Sequence, residues 1–310
     1  MLGAKPLFPD FFNGEGNGLC SIQVLRNPCF VPLNIVSAPK YNHPLDERIN
    51  VLGVGISPIN LDSAEAGVYA GIDDGCQGYI GVSGVHGVSE AQSNPDFKRI
   101  LNRTFLNTPD GMPMVWYGKL NGNREISRVY GPDLMLRICA GSPDRGIRHF
   151  FFGGCDGVAE MLRDQLTERF PGLEVVGAYT PPFRPLNEEE EIEVRDLINA
   201  SGAHCVWVGL STPKQELFMS GFLKKFGAEH GGDGSLKGAK IFFGVGAAFD
   251  FHAGLIPQAP SWMQRCGLEW FYRLCKEPKR LWRRYLKNNP VFIVRSLLQF
   301  TGLKIYKLIK

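Results

Sequence analysis

A single carboxylate, Asp110, stands between a proline and a glycine in the stretch "NTPDGMPMV", residues 107–115. Proline fixes φ, aspartate can hydrogen-bond its own backbone, and glycine accepts positive φ, so Pro-Asp-Gly is a common chain-reversing turn. A carboxylate held there could also act as a general base that takes a proton from a hydroxyl. These residues alone favour the turn, and other segments are needed to separate the two interpretations.

Two glycines follow a predicted strand in "FFFGGCDGVAE", residues 150–160. Gly153 and Gly154 would let backbone N–H groups at the start of the next helix approach a phosphate. Tight packing of the strand against the helix explains the same glycines equally well. The spacing is G-G-x-x-G rather than the G-x-G-x-x-G of a dinucleotide-binding loop.

Polar side chains follow two further predicted strands. "GLSTPKQE" places Lys214, Gln215 and Glu216 at the start of a helix, and "GVGAAFDFHAG" places Asp250 and His252 just beyond the next strand. Because ligands bind outside the carboxyl ends of strands in open parallel sheets, these segments are candidates for a binding site. A helix cap would account for Ser211 and Thr212, but it does not require the three polar residues after them.

The elements that must position these residues alternate from residue 148 onward. Apolar strands such as "RHFFF", "HCVWVG" and "KIFFG" are separated by helical segments. This pattern predicts an α/β fold with a Rossmann-like parallel sheet flanked by helices. Before it, we predict one strand over residues 49–57, a strand running into a loop over 78–88, and a helix over 93–104 capped by Asn94 or Ser93.

Composition indicates an ordinary globular enzyme-sized chain of 310 residues, with 44% apolar and 21% charged residues. The eight cysteines form no C-x-x-C pair, which is typical of a reduced cytosolic protein, and the N-terminus has no apolar signal-peptide core. There is no D-x-D triplet and no H-E-x-x-H, so we predict no metal site and no cofactor.

The C-terminal 50 residues differ from the rest in charge. Residues 261–310 hold 12 lysines and arginines against two acids, a net +10, whereas the other 260 residues hold 22 against 29, a net −7. Aromatic and aliphatic residues recur at three- and four-residue steps between the basic ones, which predicts basic amphipathic helices. We therefore divide the chain into an extension (1–46), an α/β core (47–260) and a basic appendage (261–310) that associates with an anionic membrane surface rather than nucleic acid.

Five segments in this order resemble the WecG/TagA/CpsF glycosyltransferases, family 26: "NTPDGMPMVW", "FFFGGCDGVAE", "WVGLSTPKQE", "GVGAAFDFHAG" and "APSWMQRCGLEWFYRLCKEPKRLWRRYL". The resemblance covers roughly residues 49–286. It implies transfer of a sugar, an N-acetylhexosamine, mannosaminuronate or related sugar, from a UDP-sugar to a polyprenyl-diphosphate-linked acceptor, with inversion and without a bound metal. Such enzymes build polysaccharides or cell-wall polymers at the cytoplasmic face of the membrane.

The resemblance also implies roles for residues. Asp110 matches the proposed base, the loop 213–216 lies at the substrate pocket, and basic residues of the C-terminal segment bind diphosphate. Many members have T-x-N where this chain has "GVSGVHGV", so Ser83 or His86 is predicted to make that polar contact. The predicted substrate-binding residues are Ser83, His86, Gly111, Gly153, Gly154, Lys214, Gln215, Glu216, Asp250, Arg273, Arg280, Arg283 and Arg284.

Two other classes of protein remain open at this stage. A nicotinamide-dependent oxidoreductase could be built on "FFFGGCDGV" with Glu174 as the ribose-binding acid, although the glycine spacing does not fit. A non-catalytic nucleic-acid-binding module could use the basic appendage. The sequence names neither sugar, and it leaves homo-oligomerisation open.

Overall fold

The computed structural model describes residues 47–309, and the predicted N-terminal extension lies outside the described residues. The strands are β1 (Ile49–Val51), β2 (Val54–Ile56), β3 (Gln77–Ser83), β4 (Leu106–Pro109), β5 (Arg148–Gly153), β6 (Glu174–Tyr179), β7 (Cys205–Gly209) and β8 (Lys240–Gly244). The α-helices are α1 (Leu61–Asp73), α2 (Val85–Glu90), α3 (Pro95–Asn102), α4 (Met112–Leu120), α5 (Gly131–Gly141), α6 (Val158–Arg169), α7 (Glu188–Ser201), α8 (Lys214–Phe226), α9 (Ala248–His252), α10 (Ser261–Arg265), α11 (Glu269–Lys276) and α12 (Pro278–Phe300).

Six strands form one parallel sheet in the order β4-β3-β8-β7-β5-β6. Its central strands are buried on both faces, as their continuous apolar sequences predict. One core lies under α1, α5, α6 and α9 and contains Phe151 and Phe243, and a second lies under α7 and α8 and contains Phe152 and Phe242. The predicted α/β fold with a parallel sheet flanked by helices is therefore confirmed.

Two predictions made before residue 148 need correction, and a third is confirmed. Residues 49–57 form an antiparallel hairpin of β1 and β2 rather than one strand. The chain reverses at Leu52 and Gly53, whose φ angles are 53° and 83°, and this turn lies inside an apolar run that hides it. The predicted loop after β3 contains the short helix α2. The predicted α3 is confirmed, with the Asn94 side chain accepting a hydrogen bond from the Phe97 N–H at 3.0 Å.

The C-terminal segment is helical, as predicted, but it packs on the hairpin instead of standing apart. Phe292 of α12 is buried in the same apolar cluster as the hairpin residues. The Gln299 side chain accepts from the N–H of Leu52 and donates to the carbonyl of Asn50, both at 2.8 Å. Asn50 in turn donates to the carbonyl of Tyr306 at 2.6 Å. These contacts fix the end of α12 and the residues after it.

The opposite face of α12 is exposed. Its first half presents Lys279, Arg283 and Lys287, four residues apart and therefore on one side of the helix. Its second half presents Val291 and Val294, which are 41% and 56% exposed. Within residues 47–309, no helix combines the length and the apolar character that crossing a membrane requires.

Candidate active site

A cavity of about 1000 Å³ opens at the carboxyl ends of β3, β4 and β8. After β4 at one edge, the chain crosses to β5 in the other half of the sheet, and β8 returns to lie between β3 and β7. Ligand sites in open α/β sheets lie at such a reversal of strand order. The C-terminal helices α11 and α12 form the far wall, so the cavity lies between the sheet and the basic segment.

Asp110 lines this cavity directly after β4. Its backbone N–H donates to the carbonyl of Ser83 at 3.0 Å, which ties the end of β4 to the end of β3. Gly111 follows with φ of 88°, a conformation that glycine adopts without strain, and α4 begins at the next residue. The Pro-Asp-Gly segment therefore forms the junction between β4 and α4.

The neighbouring loop leaves room for the Asp110 carboxylate only because residue 84 is glycine. A Cβ at Gly84 would lie 3.0 Å from the Asp110 carbonyl oxygen and 3.3 Å from its Oδ2. Both distances are tighter than ordinary carbon–oxygen contacts, so a side chain there would press on the carboxylate. Gly84 also lines the cavity. Gly84 belongs to the segment "GVSGVHGV", which stands where the sequence resemblance leads one to expect T-x-N.

Burial raises the pKa of Asp110 from its usual 3.8 to about 7, and the nearby Arg128 opposes that rise. Glu269 raises the pKa further and Arg273 lowers it. A carboxylate with a pKa near neutrality is partly ionised at cellular pH and holds a transferred proton well. That is the property a general base requires.

Arg128 joins the core to the C-terminal helices at this site. Its guanidinium forms an ion pair with Glu269 and donates to the Gln264 side chain at 2.7 Å. The same group lies 3.9 Å above the ring of Tyr130. Both members of the ion pair are largely buried, with 12% and 18% of their side chains exposed. The pair therefore fixes α11 against the cavity.

Gln215 is buried at the first turn of α8, at the end of β7 and beside β8. Its Nε2 donates to the Gly244 carbonyl at 2.8 Å and to Glu216 Oε1 at 3.0 Å. Glu216 also accepts from the Thr212 hydroxyl at 2.8 Å. Among the described residues, Gln215 Oε1 has no hydrogen-bond partner, and Gln215 lines the cavity. Glu216 therefore fixes the orientation of an amide whose oxygen is buried.

His86 and Arg284 meet on the other side of the cavity. His86 Nδ1 and the Asn288 side-chain amide lie 3.1 Å apart, which connects the β3–α2 loop to α12. Burial lowers the pKa of His86, and the charge of Arg284 lowers it further. A neutral imidazole and a guanidinium thus face the same space as Asp110.

The structure brings only part of the predicted set to the cavity. His86, Asp110, Gly111, Gln215, Arg273 and Arg284 line it. Ser83 and Glu216 are buried beside it, and Lys214 and Arg283 are exposed away from it. The residues that do not line the cavity are Ser83, Gly153, Gly154, Lys214, Glu216, Asp250 and Arg283. Of Arg280 only the backbone, in α12, is described.

The two glycines after β5 have a packing explanation. Gly153 has φ of 126°, and a Cβ there would lie 2.8 Å from backbone atoms of Gly209 on the neighbouring strand. A Cβ at Gly154 would meet Val158 at 3.0 Å. Close approach of β5, β7 and α6 therefore accounts for both positions.

Several cavity residues were missed by the sequence analysis. They are Trp116, Arg128, Tyr130, Glu269, Tyr285 and Asn288. Arg128 and Tyr130 lie in an irregular stretch before α5 that carries no periodic signal. Glu269 and Arg128 are 141 residues apart in sequence, so nothing local indicates that they pair.

No three His, Cys, Asp or Glu side chains within the described range are grouped as metal ligands. The charged groups at the cavity are Asp110, whose pKa is raised by burial, together with Glu269 and the arginines Arg128, Arg273 and Arg284. Guanidinium groups bind carboxylate and phosphate groups well, so this combination at the carboxyl edge of a parallel sheet suits an anionic ligand.

The chain belongs to the WecG/TagA/CpsF family of glycosyl transferases, whose family model matches residues 49–305. It is 32% identical to an N-acetylglucosaminyldiphosphoundecaprenol N-acetyl-beta-D-mannosaminyltransferase of Bacillus spizizenii, over 67% of this chain and 74% of that protein. It is 26% identical to a protein of the same name from Bacillus subtilis strain 168, over 85% of this chain and 87% of that protein. This protein is thus a glycosyltransferase, and the oxidoreductase alternative is not supported.

Proposed function

We propose that this enzyme transfers an N-acetylhexosamine, with inversion, from a UDP-sugar to N-acetylglucosamine linked through diphosphate to a polyprenol. The names of the two Bacillus relatives support the acceptor and the sugar class. The observation that carries the proposal is the position of Asp110, with its pKa raised to about 7, in a cavity whose far wall supplies Arg273 and Arg284.

The reaction is a single displacement. Asp110 takes the proton from an acceptor hydroxyl as the oxygen forms a bond to the anomeric carbon of the donor sugar. The bond between that carbon and the donor diphosphate breaks, and the electron pair leaves with the nucleoside diphosphate. Because the oxygen enters opposite the leaving group, the anomeric configuration inverts. General-base assistance of this kind contributes ~10²–10⁴ in rate.

Negative charge develops on the departing diphosphate, and the arginines stabilise it. Guanidinium groups bind phosphate oxygens with two parallel hydrogen bonds, and these bonds strengthen as the negative charge grows. Arg273 approaches Asp110 closely enough to lower its pKa, so the cation and the base share one site. Gln215 lines the same cavity, and its role in this proposal is contact with the sugar or the diphosphate.

The transfer assay that tests this proposal uses a soluble acceptor, N-acetylglucosamine diphosphate carrying a short prenyl chain. UDP-N-acetylmannosamine, UDP-N-acetylglucosamine and a UDP-mannosaminuronate are supplied in turn. We expect mass spectrometry to detect one added sugar residue with one donor, and NMR to show inverted linkage. The control acceptor lacks the diphosphate and should give no product. Hydrolysis of a UDP-sugar without any transfer, or no reaction with the whole panel, would contradict the proposed function.

We also propose that the enzyme works as a peripheral protein on the anionic, cytoplasmic face of the membrane, with the exposed face of α12 in contact. Each basic residue near such a surface contributes ~1 kcal/mol. Lys279, Arg283 and Lys287 are exposed, so reversing their charge leaves the fold intact.

The triple variant Lys279→Glu, Arg283→Glu, Lys287→Glu should lose most of its co-sedimentation with anionic liposomes. The same three changes should not affect transfer to the soluble acceptor. A matched control reverses three exposed basic residues on the core, Lys119, Lys224 and Lys237. Equal sedimentation of both triple variants and the wild type would show that α12 is not the membrane-binding face.

A further inference from the structure

The cavity does not end at the charged groups. It continues into a groove between α4 and α12 that is lined by Trp116, Leu120, Ile293, Leu297 and Phe300. We call this the α4–α12 groove. One end holds Asp110, Arg273 and Arg284, and the other end holds only large apolar side chains and the polar Ser296. The cavity thus has a charged end and an apolar end.

The apolar end is preformed but uncovered. Its floor is well packed, because Tyr117 and Phe292 are buried and the Tyr117 ring packs against the tilted ring of Phe300, with ring centroids 4.5 Å apart. Its walls are open, because Leu120, Leu297 and Ile293 are 72%, 59% and 58% exposed. A concave apolar surface left in water marks a binding site more often than a feature of the fold.

The occupant follows from the continuity of the two ends. A ligand that fills both must carry an anionic group next to an unbranched or isoprenoid hydrocarbon, since the cationic end and the apolar end share one cavity. We propose that the α4–α12 groove holds the first isoprene units of the acceptor lipid, with the lipid diphosphate at the junction of the groove and the cationic end of the cavity. This inference rests on the proposed function and adds a lipid-binding subsite to it.

The α4–α12 groove and the membrane-facing surface of α12 are lined by different residues and can be tested separately. Leu286 of α12 is 66% exposed but does not line the cavity. It is therefore a matched control for Leu297, with the same side chain, the same helix and similar exposure. A bilayer contact would involve both leucines, whereas a lipid in the groove would involve only Leu297.

The test compares the binding of farnesyl diphosphate and methyl diphosphate by calorimetry in detergent-free buffer. Wild-type protein should bind the farnesyl compound at least ~10-fold more tightly, because its hydrocarbon chain is removed from water when it enters the groove. Leu297→Asn and Leu120→Asn, on opposite walls, should each reduce that preference several-fold. Leu286→Asn should keep it. All three residues are exposed, so the melting temperatures should stay within about a degree or two of the wild type.

Equal affinity of the wild type for the two diphosphates would overturn the proposal. So would equal effects of Leu297→Asn and Leu286→Asn, which would indicate a general membrane contact. These outcomes do not depend on sugar transfer. A wild type that prefers farnesyl diphosphate but transfers no sugar would instead disprove the proposed function and leave the lipid subsite standing.

Discussion

Asp110→Asn is expected to lower turnover at least ~10²-fold while making the folded protein more stable at alkaline pH. Asparagine keeps the size of the side chain and the backbone hydrogen bond to Ser83, so the junction between β4 and α4 should form normally. It cannot accept a proton from the acceptor hydroxyl. A residue that only shaped the junction would leave turnover nearly unchanged, whereas the stability gain reports burial of the carboxyl group in either case.

The stability gain has a definite pH dependence. Burial raises the pKa of Asp110 to about 7, so between pH ~4 and ~7 the native state keeps a proton that the unfolded chain has released. Native stability of the wild type therefore falls as pH rises through this window and stays lower above it. The asparagine variant lacks this loss. Its melting temperature should exceed that of the wild type by ~2–5 °C at pH 8 and match it near pH 4.

Differential scanning calorimetry at several pH values measures this difference directly. Glu160→Gln, an exposed acid on α6 outside the cavity, serves as a control and should show no comparable gain. A wild-type turnover number for Asp110→Asn, or a melting temperature lowered at pH 8, would rule out a buried carboxylate that acts as the base.

Arg284→Ala is expected to lower kcat/KM on a soluble acceptor ~10²-fold, whereas Arg283→Ala should change it less than about twofold. Arg284 lines the cavity next to His86. Arg283 is exposed and lies over the ring of Trp282 at 5.3 Å. Removing one charged donor from a developing anion costs ~10²–10³ in rate. The adjacent variant controls for any general effect of losing an arginine from α12.

Arg273→Ala should lower kcat/KM about as much as Arg284→Ala does, and it should also change the pH dependence of the rate. Arg273 lowers the pKa of Asp110, so its removal should move the rate profile toward higher pH. Steady-state kinetics with a short soluble acceptor keeps membrane binding out of the comparison. Equal losses of kcat/KM in Arg283→Ala and Arg284→Ala would show that lining the cavity does not determine which of the two arginines acts in transfer.

The sequence predicts the sheet well where strands are buried on both faces. Segments such as "RHFFF" and "CVWVG" are short, continuous apolar runs between capped helices. Their apolar pattern and their length both indicate a buried strand. The sequence analysis does not predict β4, which has four residues and ends in a proline. It also misses α4, whose sequence "MPMVWYGKL" is almost uniformly apolar. Both elements form the edge of the cavity, where tertiary contacts rather than local pattern determine the structure.

The motifs locate the site loops but not the direction of each side chain. Lys214 and Glu216 belong to one motif, yet Lys214 is exposed and Glu216 is buried, because residues one or two apart on a helix face different ways. Arg283 and Arg284 differ for the same reason. The packing of α12 on the β1–β2 hairpin could not be predicted, since an amphipathic pattern identifies an apolar face without its partner.

The central claim is that Asp110 accepts the proton of the acceptor hydroxyl inside this cavity, and the pH dependence of kcat/KM tests it most directly. For the wild type, we expect kcat/KM for the soluble acceptor to rise about tenfold per pH unit below pH ~7 and to level off above it, because only the ionised carboxylate is active. The residual rate of Asp110→Asn should not show this rise. A wild-type profile that is flat between about pH 5.5 and 8.5, or one that Asp110→Asn reproduces in full, would contradict this assignment.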